Sequence, residues 1–579
     1  MKENYKQAAM VNWYEPKMLL SIAMKAVISG TFGNYADRRE LEAALETNVD
    51  NSKEWEMLEK EYCSKDDIWV DVVNDTGDGF NSTYAVARSV AAPTLAFDYI
   101  DENNKTQTVT TQRGKILIFG GDEVYPFPTL EEYTNRFKIP FASASDDLVE
   151  IRKETDRPHL YAIPGNHDWY DGLGNFIKLF CQQRWIGIWS TQQHRSYFAL
   201  PLPNNYWIWA TDIQLNSDID KPQLNYFQEI ARMKMKEGDK VILVTAEPAW
   251  VYKQIHKGDR SFDKLQFFID NYIHNKNGCT GADFKLAATL TGDLHHYARY
   301  CSQDCLQGHQ YITAGGGGAF LHLTHNLPEK LTSVYTEKDI HQQKIFPDKK
   351  AARKLLLGNF LFPITNFMFT FLLLCIYVFY FWIIQNNGPT GLSNSISSYS
   401  FVYHAIHSSP FLIIITLGLI FGFYSFTDTN GFSKAAKPVG LLHALCQVTL
   451  LILVMCCLSA FVNSGSYTLP YKVIMSIISC LMGCIVASLL MGIYLFLSNR
   501  LFDMHINEAS SSLASPDYKN FLRLHIHKDG VTIYAVGIKK VPSNWQTNYN
   551  EKEGRFIFKG NTVETFLIEK PIQILNDQL

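Results

Sequence analysis

The chain has 579 residues, more than one hydrophobic core usually serves, so several domains are expected. Its formal net charge is −4 and 19% of its residues are charged, which gives no reason to expect a general nucleic-acid binder or duplex binding. The ordinary average hides a division: up to about Lys354 the chain reads as a soluble α/β protein, from Asn359 to Leu497 apolar runs dominate, and after Arg500 it turns polar again.

Residues 1–65 read as an N-terminal helical segment. Met1-Lys2-Glu3-Asn4-Tyr5-Lys6 lacks an apolar signal core, so no cleaved signal peptide is expected. Met18, Leu19, Ile22, Ala26 and Val27, then Leu41, Ala44 and Leu45, carry helical spacing over 12–62, and Gly30 and Gly33 interrupt it too early for a membrane span.

Five apolar strands are expected next, within a domain set at 66–340. Ile68–Val73 ends in Asn74-Asp75-Thr76-Gly77-Asp78-Gly79. Lys115–Phe119 ends in Gly120-Gly121-Asp122-Glu123-Val124-Tyr125. Leu160–Ile163 ends in Pro164-Gly165-Asn166-His167-Asp168. Val241–Thr245 ends in Ala246-Glu247-Pro248, and Leu286–Leu290 in Thr291-Gly292-Asp293-Leu294-His295-His296-Tyr297-Ala298-Arg299. Any one of these is an ordinary polar turn. Four strand ends carrying carboxylate, amide or imidazole groups point instead to hard metal ligands gathered where α/β proteins bind ligands.

In this order the motifs resemble the calcineurin-like metallophosphoesterases. Asp75-Thr76-Gly77, Gly121-Asp122-Glu123-Val124-Tyr125 and the Tyr297 and Arg299 tail look closest to the purple-acid-phosphatase variant. The wording around Gly165-Asn166-His167-Asp168-Trp169-Tyr170 resembles a membrane-anchored branch found in bacteria and plants. The resemblance covers about residues 10–330 and the apolar segments that follow. It implies an α/β fold class: a metallophosphoesterase β-sandwich flanked by helices, then a four-helix transmembrane segment and a small β-rich C-terminal unit. It also implies two divalent or trivalent ions (Mn, Fe, Mg or Zn), held by Asp75, Asp122, Asn166, Asp293 and His295. His167 would be the acid or phosphate donor and Asp168 would orient it. Tyr125 is a further candidate ligand. Asp78 is as readily a turn residue as a site residue. His296, Tyr297 and Arg299 are expected to support the ligands or touch substrate. The family places a metal-binding His where this chain has Ala246, so either the second ion is weakly held or the chain is a disabled form.

Gly315 to Gly318 lets backbone approach a substrate or turns tightly beneath the metals, and no Gly-Lys-Ser/Thr follows to make a phosphate-binding P-loop. A basic linker, 341–358, precedes four apolar runs within 359–498, at roughly 359–384, 408–426, 438–463 and 472–498. Lys349, Lys350, Arg353 and Lys354, then Lys434 and Lys437, then Arg500, flank one side, so the soluble parts are expected in the cytoplasm. The runs read as an anchor in the lipid bilayer, with a homodimer seam as one arrangement they allow. Of 11 cysteines, Cys63, Cys181, Cys279, Cys301 and Cys305 lie outside the runs, and reduced thiols are expected. Residues 499–579 are expected to form a β-rich cytoplasmic unit, with a hairpin at Lys528-Asp529-Gly530. His525 and His527 alternate on its first strand and read as a solvated face before they read as ligands.

The function expected is hydrolysis of a phosphomonoester or phosphodiester, a nucleotide or a lipid-linked phosphate among them, by metal-activated hydroxide. The alternative is a catalytically degenerate fold that senses a ligand or partner.

Overall fold

The computed structural model describes residues 5–20, 51–101, 103–151, 157–213, 218–302, 309–332, 339–387, 398–463 and 467–577. The middle of the expected N-terminal helical pair, 21–50, and Cys305 lie outside them. The chain divides into two compact units. Met1–Val11, Ser29–Ala352 and Ser515–Leu579 form the first, and Asn12–Ile28 and Arg353–Ala514 the second.

Among the described residues the first unit holds two large mixed sheets. One runs Phe566–Leu567, Gly530–Ile538, Lys519–His527, Ile68–Val73, Ile116–Phe119, His159–Ala162, Trp189–Thr191 and Trp185–Ile186, with Ile572–Leu575 also on Gly530–Ile538. The other runs Lys330–Leu331, Ile340–Phe346, Tyr297–Ser302, Gln310–Ala314, Lys285–Thr291, Lys240–Thr245, Tyr206–Thr211 and Phe198–Leu202. Side chains alternate as a pleated strand requires. Val70, Val72, Ile116 and Ile118 share one buried cluster with Ile208, Leu243, Leu290 and Ile312 of the second sheet. Leu117, Phe119, Leu160 and Ala162 face the other way, into a cluster with Tyr84, Val86 and Val90 of the helix Phe80–Ala91. The result is a sandwich with helices outside. The strands Ile68–Val73, Ile116–Phe119 and His159–Ala162 are parallel, as are Tyr206–Thr211, Lys240–Thr245, Lys285–Thr291 and Gln310–Ala314, so their carboxyl ends emerge together.

The expected β-rich C-terminus joins this sandwich. Lys519–His527 pairs antiparallel with Ile68–Val73, and the hairpin at Asp529-Gly530 lays Gly530–Ile538 beside it. Arg523 seals the join. Its Nε donates to Asp71 Oδ1 at 2.6 Å and its Nη2 to Asp71 Oδ2 at 3.0 Å, with both side chains buried. His525 stacks on Trp69 at 4.2 Å and bonds Asp67, an edge contact and no ligand cluster. Cys301 is disulfide-bonded, so the expectation of reduced thiols fails there.

In the second unit Phe367–Asn387, Ala436–Val462 and Leu469–Phe502 are each long and apolar enough to cross a bilayer. The second expected run is the helix Pro410–Ser425, which starts at Pro410 and meets the preceding helix Ser398–Ser408 at 96°. Pro410–Ser425 has 16 residues, too few to span alone, so the count among the described residues is three, or up to four if the bent pair is one span. Phe371, Trp382, Ile414, Leu453 and Ile477 are exposed outward, as lipid-facing side chains would be. Inside, Thr370 and Ser488 share a hydroxyl bond at 2.7 Å, and the Gln447 amide donates to Ala487 O at 3.0 Å.

Candidate metal centre

Three strand ends converge on one hydroxyl. Tyr125 Oη lies 3.2 Å from Asp75 Oδ1, 3.0 Å from Asp122 Oδ2 and 3.0 Å from His295 Nε2. Asp75 follows Ile68–Val73, Asp122 and Tyr125 follow Ile116–Phe119, and His295 follows Lys285–Thr291. The loops are laced by backbone: Asp75 N donates to Gly121 O at 3.0 Å and Thr76 N to Asp122 O at 2.9 Å. Asp75, Asp122 and Asp293 all sit at positive φ, 56°, 54° and 64°. Such backbone is uncommon outside glycine, and its clustering at strand ends marks a functional site.

The glycines of these motifs are there for space. A Cβ on Gly165 would lie 2.1 Å from Asp122 Oδ1, and one on Gly315 would lie 2.4 Å from Asp75 Oδ2. The four-glycine run therefore packs beneath the acidic cluster, with Gly317 N bonded to Asn74 O and Ala319 N to Asp75 O.

Burial, then the neighbouring charges of Asp122 and Asp293, hold the Asp75 carboxyl well above its usual range. Burial, then Asp168 and Asp293, do the same to Asp122. Burial holds His295 well below the ordinary imidazole value, with the adjacent His322 adding to it. His295 Nδ1 lies 2.8 Å from Phe320 O, so Nδ1 carries the proton and Nε2 turns a lone pair toward Tyr125. One phenolic proton thus faces three acceptors. The surplus lone pairs and crowded carboxylates are a donor set that fits a hard cation. Among the described residues no three His, Cys, Asp or Glu side chains already close into a finished cage.

The other expected residues are placed as follows. Asn166 is exposed on the loop. His167 N donates to Asp122 Oδ1 at 2.9 Å, its Nδ1 lies 3.0 Å from Pro126 O, and its ring sits 4.4 Å from that of Tyr125. Asp168 does not play the orienting part assigned to it. It accepts from the Tyr133 hydroxyl, from Gly165 N at 2.9 Å and from Glu123 N at 3.3 Å, and so holds the loop rather than the imidazole. Asp293 N donates to both oxygens of Asp75, at 3.0 and 2.8 Å, while its Oδ2 accepts from Tyr252. Ala246 is buried and its Cβ is 3.0 Å from where a Cβ of Gly121 would stand, so the position does border the cluster.

Asp78 is a backbone anchor: it accepts from Val11 N at 2.7 Å and Phe320 N at 3.1 Å. His296 is buried, which pulls its imidazole down to about 4. Arg299 is engaged by the C-terminal strands. Its Nη2 donates to Glu569 Oε2 at 2.6 Å, and Tyr297 donates to the same carboxylate, a tie to the C-terminal strands. Sequence reasoning missed Tyr252, on the helix Ala249–Ile255, and Glu123, whose buried Oε1 accepts from Gly121 N at 3.3 Å. It also missed Lys519, buried beside Ala319, whose ammonium burial lowers to about 8. Glu123 stands in the quoted motif, directly after Asp122, and that adjacency was the available signal.

The model of the calcineurin-like phosphoesterase family matches residues 68–277, which take in Asp75, Asp122, Asn166 and His167 and end before Asp293. No curated protein matches the chain. Among solved structures, a purple acid phosphatase from yellow lupin (Lupinus luteus) seeds is 13% identical over 49% of this chain and 48% of its own, with a TM-score of 0.26. A structure of PhoD is 9% identical over 45% of this chain and 58% of its own, with a TM-score of 0.25. The chain therefore spans less than two thirds of either. Residues 68–277, whose strand ends carry Asp75, Asp122 and His167, are thus the part of the chain that is similar to the calcineurin-like phosphoesterases.

Proposed function

We propose that the chain is a membrane-anchored, metal-dependent phosphoesterase acting on a phosphomonoester or phosphodiester. The observation that carries this reading is the meeting of Asp75, Asp122 and His295 around the Tyr125 hydroxyl. These residues would hold a cation such as Mn, Fe, Mg or Zn, with Tyr125 as a further oxygen donor. Bound there, the cation supplies Lewis acidity toward a phosphoryl oxygen and a nucleophilic water. His295 stays neutral through burial and keeps Nε2 turned inward. His167, fixed through Nδ1 to Pro126 O, would use Nε2 to meet a phosphoryl oxygen or give a proton to the leaving oxygen. Such a positioned acid is worth roughly 10²–10⁴-fold in rate. The apolar helices serve as the anchor and favour a lipid-linked phosphate, with a nucleotide as the soluble counterpart. The Lys and Arg flanks support a cytoplasmic placement of the soluble unit, without the help of reduced thiols.

The test is Mn²⁺-dependent hydrolysis of aryl phosphate mono- and diesters by the full chain in detergent. Asp122→Asn and His295→Ala should each cut turnover by more than about 100-fold. Equal rates in the variants would refute the assignment. A second reading, a degenerate ligand sensor, is favoured by Ala246. It gains if metal binds and neither ester turns over.

A further inference from the structure

We propose that this chain has a one-metal centre, in which Tyr252 and Asp293 form a fixed hydrogen-bonded pair on the side of the cluster that Ala246 borders. The inference rests on the phosphoesterase reading and narrows it. The two sides of the cluster differ in kind. On one side Asp75, Asp122, Tyr125 and His295 turn donor atoms toward one point. On the other, Ala246 offers a methyl group packed against Gly121, and Asn166 is exposed. The remaining donor there, Asp293, already has a partner: the Tyr252 hydroxyl donates to its Oδ2.

Tyr252 is well held for this task. It projects from the helix Ala249–Ile255, which starts immediately after Pro248, and its ring stacks on His256 at 5.0 Å. The loop cannot easily shift to bring a substitute ligand, because Gly292 N donates to Ala246 O at 3.0 Å, which locks the two strand ends side by side. Glu247, next in sequence, is buried on the Tyr252 side of the loop. Charge runs the same way. Three buried carboxylates against one divalent ion leave about one negative charge, and hydrogen bonds from Tyr125 and Tyr252 can disperse it. A second divalent ion would bring two more positive charges with no imidazole at position 246 to hold it. Tyr252 is thus a positioning residue, keeping Asp293 as an acceptor for a phenol.

The experiment counts Mn²⁺ per chain on the full-length protein in detergent and records its electron paramagnetic resonance spectrum. The wild type should bind one ion and give an isolated six-line signal. Ala246→His combined with Tyr252→Phe should take up a second ion, with an exchange-coupled signal and an apparent second-ion affinity about 10-fold above that of Ala246→His alone. Two coupled ions in the wild type would overturn the inference and leave the phosphoesterase reading standing. No bound ion would overturn both. Tyr252→Phe alone keeps the proposal testable if the double variant does not fold. Its single-ion spectrum should change as Asp293 is released, and an unchanged spectrum would remove Tyr252 from the account.

Discussion

Arg523→Met should be among the most damaging single changes far from the metal centre. Arg523 and Asp71 are 0% and 1% exposed. The guanidinium donates to both oxygens of Asp71, to Val90 O at 3.2 Å and to Thr111 Oγ1 at 3.3 Å. Without it, the buried Asp71 carboxylate keeps the Gly114 N–H, at 2.9 Å, as its donor. Removing one partner of a buried pair costs about 3–5 kcal/mol, because a charge is left without compensation. For a domain of this size each kcal/mol moves the midpoint by about 2–4 °C, so thermal unfolding of the soluble unit should start roughly 10 °C lower. Replacing both partners, Asp71→Leu with Arg523→Met, should recover most of the loss, since an apolar pair of similar volume is often neutral. The assay is thermal unfolding of the full chain in detergent, followed by protease resistance of the soluble unit. A cost below about 1 kcal/mol for Arg523→Met would refute the reasoning. So would a double variant as unstable as the sum of the singles.

Asp168→Asn should lower stability by about 1–3 kcal/mol, since the carboxylate caps Tyr133, Gly165 N and Glu123 N, and should leave the pH dependence of hydrolysis in place. A displaced pH–rate profile would restore a direct Asp168–His167 link. Burial raises Asp78 to about 6, partly offset by the bond from Val11 N and by Arg136. The folded form therefore holds this proton more tightly than the unfolded chain. The associated stability is complete below about pH 4 and is lost as pH rises through about 6, a span worth about 3 kcal/mol. Stability of the wild type relative to Asp78→Asn should fall across that window, and a pH-independent difference would contradict it. In oriented membrane vesicles, Lys105→Cys in the exposed turn after Thr94–Ile100 should react with an impermeant maleimide from the cytoplasmic face; labelling from the opposite face would reverse the proposed orientation.

What was legible in the sequence was local. Apolar runs closed by Gly, Asp, Asn and His gave the strand ends, and the hairpin expected at Lys528-Asp529-Gly530 formed, with Lys528 and Asp529 as its loop and Gly530 paired to His527. Long apolar stretches gave the helices, and Pro410 opens the shortest of the expected runs, Pro410–Ser425. What escaped depended on distant partners. Arg299 carried the family pattern, yet its role is set by Glu569, 270 residues away. Tyr252 sits in a short helix with no motif of its own, and only the fold brings its hydroxyl to Asp293. Asp168 looked like a partner for His167 because they are neighbours in sequence, but adjacent side chains on a tight loop diverge, and Pro126 took the imidazole instead. The C-terminal strands were legible as strands, but their alternation says which face is buried, not which sheet receives them.

The placement of Lys519–His527 against Ile68–Val73 sets the order of events at the ribosome. Arg523 and Asp71 are 452 residues apart. At about 5–20 residues per second the first strand waits roughly 20 to 90 s for its neighbour. Throughout that interval, while the apolar helices leave the exit tunnel, one edge of the nascent sheet is bare and Asp71 has no arginine. An open edge of this kind invites pairing with another chain. A premature stop between the last helix and Lys519 would leave the loops of Asp75, Asp122 and His295 translated and the sheet beneath them without its neighbour for Ile68–Val73.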